Sequence, residues 1–261
     1  MSEGPLAGYR ILVTRPEHQA DELVAAISNA GGEAIRFPVI QIIGRSEESI
    51  AQDFASEPTP DICIFVSPNA VDHGLATVRG GISASTAIAA VGPTTTAAIE
   101  ASGTAVSIRP DDGFDSEQLL AHPALNDVTG KNILIIRGER GRELLAETLT
   151  RRGANVSYLS VYRREIHRAS AEELDALEMT WRGKGIDCVT VMSIETLENL
   201  LQLLSPESLE RLRQTRLVAP GARVIQTAME LVPGIPAITA SGPQAADMLN
   251  AMIDALHSGQ N

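Results

Sequence analysis

The chain of 261 residues is short of several things, and each shortage excludes a class of function. It has two cysteines, Cys63 and Cys188, each inside an apolar run (Ile62-Cys63-Ile64-Phe65 and Cys188-Val189-Thr190-Val191). Both read as small buried strand residues, so neither a disulfide framework nor a thiolate metal set is expected. The histidines, His18, His73, His122, His167 and His257, stand singly, without metal-ligand spacing. Basic residues are outnumbered, 21 Lys and Arg against 33 Asp and Glu, and a net charge of −12 argues against nucleic acid, whose phosphates want a basic footprint. No apolar run approaches the roughly 20 residues that span a bilayer, so no membrane partner is expected. Met1-Ser2-Glu3-Gly4 lacks the basic and apolar regions of a secretory signal, and a cytoplasmic location is expected. A Ser nucleophile in a G-x-S-x-G setting and a complete Walker A loop are missing too.

What is there is the composition of a folded chain, 44% hydrophobic and 21% charged, with length for two modest domains. Short runs rich in Ile and Val alternate with segments of helical period, the signature of parallel sheets covered by helices. Ile11-Leu12-Val13-Thr14 reads as a strand, and Ala20, Leu23, Val24 and Ile27 follow as a helical stripe stopped by Asn29 and Gly31-Gly32. Further strands are expected at Asp61 to Val66, Ile88 to Val91, Ile133 to Ile136, Asp187 to Val191 and Ile235 to Thr239.

The pattern is duplicated. Ile11 to Arg15 matches Ile133 to Arg137 at an offset of 122, with Glu22-Leu23 answering Glu143-Leu144 one residue out of step. Asp61 to Ser67 matches Asp187 to Ser193 at an offset of 126, each strand ending in a Ser able to cap a helix. The fold class expected is α/β, two similar doubly wound parallel-sheet domains. Phe37 to Ile43 and Tyr158 to Glu165 break the rhythm; they are extended but too polar at alternate positions for a central parallel strand, and read as paired connectors. Two crossings would restrict a hinge while leaving a cleft that can open and close.

Several blocks, in order and spacing, resemble the uroporphyrinogen-III synthase family. They are Leu12-Val13-Thr14-Arg15-Pro16, Val66-Ser67-Pro68-Asn69-Ala70-Val71, Val91-Gly92-Pro93-Thr94-Thr95, Asp115 to Leu120, Gly130 to Glu143, Arg151-Arg152-Gly153-Ala154, Ser160-Val161-Tyr162-Arg163 and Glu195 to Leu201. The resemblance implies a cofactor-free lyase that closes hydroxymethylbilane, a linear tetrapyrrole with eight carboxylates, into uroporphyrinogen III while inverting ring D. It also implies a domain of both chain ends (1–36 and 166–261), antiparallel connector strands (37–43 and 157–165) and a domain of the chain middle (44–156). With it come expectations of a monomer, of a transient hand-off from hydroxymethylbilane synthase, and of no cofactor or metal. Two blocks depart from the commonest pattern: Met192-Ser193-Ile194-Glu195 stands where Thr-Ser and a small residue are frequent, and Pro220-Gly221-Ala222-Arg223 replaces a second Gly-Pro-x-Thr.

In a doubly wound sheet the ligand crevice lies at the carboxyl ends of the strands, where helix N-termini present free N–H groups to anions. Ser67-Pro68, Gly92-Pro93-Thr94-Thr95, Arg137-Gly138 and Ser241-Gly242 are read as such ends. Arg15 and Arg137 occupy equivalent strand ends of the repeat and suit either carboxylates of a ligand or neighbouring acids. Gly138-Glu139-Arg140-Gly141 hints at a phosphate loop without its Lys-Ser/Thr, and most arginines between Arg140 and Arg168 suit a solvated helix face. The substrate-binding candidates are Arg15, Ser67, Gly92, Thr95, Arg137, Gly138, Ser193 and Arg223. Spacing alone makes Tyr162 a cross-strand aromatic; the resemblance makes it the proton donor that helps hydroxide leave. Two other readings stay open: a non-catalytic two-domain tetrapyrrole-binding or sensor protein, and a nucleotide-dependent enzyme lacking its phosphate fingerprint.

Overall fold

The structure is a computed structural model that describes residues 4–111, 113 and 115–257. In chain order, β1 (Arg10–Val13), α1 (Asp21–Asn29), β2 (Glu33–Arg36) and β3 (Ile40–Gly44) come first. Then follow α2 (Glu47–Ser56), β4 (Ile62–Phe65), α3 (Pro68–Arg79), β5 (Ala87–Ala90), α4 (Pro93–Ala101), α5 (Ser116–Leu120), β6 (Asn132–Gly138), α6 (Leu144–Arg151) and β7 (Asn155–Ile166). The last third holds α7 (Ala171–Arg182), β8 (Cys188–Thr190), α8 (Ile194–Leu203), α9 (Pro206–Leu212), β9 (Arg216–Ala219), α10 (Ala222–Leu231), β10 (Ala237–Thr239) and α11 (Ala245–His257). No helix among the described residues is long and apolar enough to cross a membrane.

The chain divides into two compact units, Met1–Gln41 with Glu165–Asn261, and Ile42–Arg164. The first unit's parallel sheet runs β10-β9-β8-β1-β2. Counted within the unit this is the doubly wound order 2-1-3-4-5, with its switch point between β1 and β8. The second unit's sheet runs β5-β4-β6-β7-β3, and Ile108 adds one parallel bridge outside β5 at Ala89. Since β6 matches β1 and β4 matches β8, the run β7-β6-β4-β5 with the Ile108 bridge repeats that order from a different starting strand, β3 is added outside β7, and the switch point lies between β6 and β4.

Burial explains the strand sequences. Ile62 to Phe65 and Ile133 to Ile136 are buried on both faces, which a parallel sheet under two helix layers demands. Alternate residues part company: Cys63, Phe65, Leu134 and Ile136 join one core with Leu75 of α3, while Ile62, Ile64, Ile133 and Ile135 join another with Leu149 of α6. In the first unit Ile11 and Val13 pack with Leu23 and Ile27 of α1 and Met248 and Met252 of α11.

The strand readings hold to within one or two residues, but three expectations need correction. Polar alternation does not bar 157–165 from a parallel sheet: β7 pairs in parallel with β6 from Asn155 to Tyr162, and only its far end serves as connector. There it lies beside β3, with Arg45 N–H donating to the Val161 carbonyl (3.0 Å) and His167 N–H to that of Val39 (3.0 Å), an antiparallel sequence of partners. Polar side chains are accommodated because Asn155, Ser157 and Tyr158 keep contact with solvent while Leu159 and Val161 face the core. Secondly, Arg137-Gly138 is no helix start: both residues end β6, and α6 begins at Leu144. Thirdly, α11 begins at Ala245, not directly after Ser241-Gly242, and Ser241 instead donates to Asp247 Oδ1 (2.7 Å).

Candidate active site

At the switch point of the second unit a cleft of about 270 Å³ opens between the carboxyl ends of β4 and β6, bordered by the end of β7. Ser67, Arg137, Gly138 and Tyr162 line it, as do Arg140, Arg142, Tyr158 and Arg164. Four of the sequence candidates thus meet in one place, because consecutive strands of a parallel sheet end on the same edge.

Tyr162 is aimed by a defect in the ladder. The β6–β7 register runs evenly to Arg137 opposite Ser160, then shifts so that Gly138 faces Tyr162. The bulge turns two neighbours, Val161 and Tyr162, toward the same core, where simple alternation would have put one outside. Gly138 makes room: a Cβ there would lie 2.8 Å from ring atoms of Tyr162. The ring is buried (3% exposed) with His73 of α3 tilted against it, centroids 6.1 Å apart. Its hydroxyl lies 3.2 Å from Ser67 Oγ.

Ser67 is the N-cap of α3, extended, with Pro68 at the first helical position and its Oγ accepting from Ala70 N–H (3.2 Å). With that lone pair taken, Ser67 can give its own proton to the Tyr162 oxygen. The phenol proton is then free for a third group in the cleft.

Arg137 sits beneath the same cleft and is 6% exposed. Its Nη1 donates to Glu143 Oε1 (3.0 Å) and its Cζ lies 4.6 Å from the centre of the Tyr158 ring. Tyr158 donates its hydroxyl to the other oxygen of Glu143. Held chiefly by Tyr158 and then by Arg137, the Glu143 carboxyl titrates below its ordinary range. Partial burial first, and the carboxylate second, push the Tyr158 phenol up to about 12. Gly141 completes the seat, since a Cβ there would stand 2.7 Å from Arg137 Nη2. The sequence marks neither Glu143 nor Tyr158 as a site residue, because helical or strand period carries no mark of a pair that meets across a loop.

The remaining candidates lie elsewhere. Gly92 caps α4 and borders a separate hollow of about 490 Å³ with Thr96, Glu100 and Arg109. Thr95 is buried inside α4 and lines neither cavity. In the first unit Arg15 follows β1, donates from Nη2 to the Pro243 carbonyl (2.5 Å), and keeps a buried Nε without a partner. Burial lowers its pKa, opposed by the charge of Glu22. Ser193 caps α8 as Ser67 caps α3, but its Oγ meets Thr196 Oγ1 (2.9 Å). Arg223 is exposed in the first turn of α10. Of the middle arginines, Arg142 pairs with Glu117 (2.6 Å) and Arg152 donates to the carbonyls of Leu120 and Leu125 (2.8 Å each), so the latter is a loop brace and not a solvated helix charge. Both cysteines are free and buried, and burial raises each thiol to about 12.

Comparison with known proteins gives a consistent result. The family model described as HEM4, uroporphyrinogen-III synthase HemD, matches residues 21–250. The uroporphyrinogen-III synthase of Escherichia coli is 33% identical over 227 residues, covering 85% of this chain and 91% of that protein. That of Salmonella typhimurium is 36% identical over 228 residues, with the same coverage of 85% and 91%. Among solved structures, uroporphyrinogen-III synthetase from Helicobacter pylori superposes with a TM-score of 0.64 at 18% identity, covering 94% of this chain and 99% of that one. A mutant uroporphyrinogen III synthase from Thermus thermophilus gives 0.59 at 18% identity, covering 96% and 100%. The structural likenesses speak for the fold; the sequence matches speak for the family.

Proposed function

The chain belongs to the uroporphyrinogen-III synthase family, and from that premise we propose that it closes hydroxymethylbilane to uroporphyrinogen III, inverting ring D and releasing water, with its chemistry in the cleft of the second unit. The observation that carries the assignment is the sequence match across most of the chain. The cleft supports its chemistry: a buried phenol at a strand end, backed by a serine and a helix N-terminus.

The reaction begins when hydroxide leaves the methylene of ring A. Pyrrole nitrogen supplies the electron push, so the protein needs to give only a proton to the departing oxygen, a task within reach of a phenol. Tyr162 is the donor in this reading, and Ser67 a contact that can return a hydrogen bond to the phenolate. The harder task is regiochemical: attack must fall on the substituted carbon of ring D, through a spiro intermediate. A preference of roughly a thousandfold for isomer III over isomer I needs about 4 kcal/mol of differential transition-state stabilisation, which positioning can supply. Eight substrate carboxylates meet a protein of net charge −12, so attraction must be local. Arg137 with the backbone at Gly138, and Ser67, are the proposed contacts in the second unit; Gly92 and Thr95 are proposed at the start of α4. Arg15, Ser193 and Arg223 are proposed at the strand ends of the first unit.

Purified protein should convert freshly made hydroxymethylbilane to uroporphyrinogen III with neither metal nor nucleotide added. Activity lost on chelation or dialysis and restored by a cofactor would sink the cofactor-free reading. Isomer I alone, at the uncatalysed rate, would leave a tetrapyrrole carrier in its place. We further propose a monomer acting in the cytoplasm that takes its substrate from hydroxymethylbilane synthase, motivated by the instability of an open-chain tetrapyrrole whose hydroxyl the pyrrole nitrogen can expel. Sedimentation at assay concentration tests the monomer, cell fractionation the location. A coupled assay with an inert trap for free substrate tests the hand-off, and full interception by the trap would exclude it.

A further inference from the structure

The ion pair of Arg137 and Glu143 is lopsided, as Arg10–Glu33 also is, but it alone of the two has its arginine in the cleft. The guanidinium side chain is 7% exposed and lines the cleft together with Tyr158, whereas the carboxylate that answers both is 56% exposed. The guanidinium does not need that carboxylate to stay in place: the Tyr158 ring lies against it, and the space over Gly141 admits its Nη2. Glu143, in turn, has somewhere else to go. It stands at the N-cap of α6 without a side-chain cap bond, so a released carboxylate would remain at the positive end of a helix. One carboxylate already answers the charge of Arg137, so a second carboxylate arriving there gains little from that guanidinium unless the first withdraws.

We propose that Glu143 is a displaceable stand-in for a carboxylate of the substrate: it occupies Arg137 in the free protein, steadied by the Tyr158 hydroxyl, and yields the guanidinium to a tetrapyrrole acetate or propionate. Glu143 is then a positioning residue that sets how readily the cleft accepts its ligand. Tyr158 has two separable parts, a ring that orients Arg137 and a hydroxyl that retains Glu143. This rests on the reading of Arg137 as a substrate contact.

The test is steady-state turnover of hydroxymethylbilane by the full chain, with KM and kcat read separately. With its carboxylate open to solvent the pair holds by little, so releasing the stand-in with Glu143→Gln should lower KM by roughly two- to fivefold, with kcat changing less. Tyr158→Phe, which keeps the ring and removes the hydroxyl, should shift KM the same way by a smaller factor. Tyr158→Leu, which removes the ring, should raise KM. A pair present only to stabilise the fold would instead give an unchanged or raised KM on Glu143→Gln. That outcome, in a protein where Arg137→Gln raises KM, overturns the stand-in while leaving Arg137 as a contact. An Arg137→Gln protein with unaltered KM would overturn the underlying site reading. In the double variant the gain from Glu143→Gln should vanish, because the stand-in has nothing left to block. If Glu143→Gln does not fold, Tyr158→Phe decides: a KM equal to or above that of the parent overturns the proposal.

Discussion

The two units carry the same arginine and glutamate at matching places, and use them differently. In the second unit Arg137 and Glu143 are in contact at 3.0 Å, with the Tyr158 ring against the arginine and its hydroxyl donating to the glutamate. In the first unit Glu22 acts on Arg15 only as a nearby charge, and Arg15 turns to the Pro243 carbonyl with its Nε unpartnered. The ladders explain the difference. Tyr158 faces Ile135 on β6, and the equivalent partner of Val13 on β1 is Arg36, which repels a second guanidinium and pairs with Glu17 and Asp21. The serines diverge likewise: Ser67 meets Tyr162, whereas Ser193 meets Thr196. The repeat preserves the strand ends, while single neighbours decide what each arginine and serine meets there.

The sharpest way to break that comparison is at Tyr162. Tyr162→Phe should lower kcat by roughly 10²-fold with substrate still bound, because a general acid is lost and a ring of the same shape remains. Turnover near that of the parent would return Tyr162 to a packing role. Next come the arginines. Arg15→Ala should weaken product binding by roughly 10- to 100-fold, the loss of a charge-assisted contact, and Arg137→Ala by less, because its carboxylate partner already competes. Equal losses in titration calorimetry would erase the distinction drawn between the units.

A smaller effect separates the two caps. Ser67→Ala and Ser193→Ala should each cost about 1 kcal/mol of stability in denaturant melts, but only Ser67→Ala should also lower turnover. Two variants with equal kcat would mean that the Ser67–Tyr162 contact plays no part in the reaction. The cysteines then report on each unit separately. Cys188 on β8 and Cys63 on β4, both raised to about 12, should resist a thiol reagent at neutral pH and react only as their own unit opens. Labelling of either at the rate of a free thiol would contradict its burial.

The smallest expected signal is the pH dependence of stability. Glu143 titrates low in the folded chain, so its contribution is present above the ordinary glutamate pKa and is lost as pH falls through the depressed value. Glu33, held low chiefly by its hydrogen bond from Arg10, has the same sign in the first unit. Glu143→Gln and Glu33→Gln should each flatten the acid limb of a plot of Tm against pH, and an unchanged limb would mean that these pairs dissolve in solution.

Much of the architecture was legible from residues alone. Strands such as Ile133 to Ile136 announce themselves because a strand buried on both faces must be apolar throughout, and Ser67-Pro68 announces a helix because cap and first turn have local requirements. The doubling was legible for the same reason, as matching strands must end in matching ways. What misled was also local: the polar alternation of 157–165 looked unfit for a parallel sheet, and Arg137-Gly138 looked like a helix start. Period reads the average environment of a segment, and β7 has two, a parallel neighbour along its first part and an antiparallel one at its end.

Fold class, repeat and family can all be read along the chain, because they reside in patterns of hydrophobicity and turn chemistry written continuously in it. Which candidates meet depends on how the strands lie side by side. The tertiary structure places Ser67 against Tyr162 across 95 positions and stacks Arg137 on Tyr158. It leaves Thr95 inside a helix and sets Gly92 beside another hollow. The cause is physical: a one-residue bulge between β6 and β7 aims Tyr162, and a glycine opposite makes room for the ring, and neither has a signature until the two strands lie side by side.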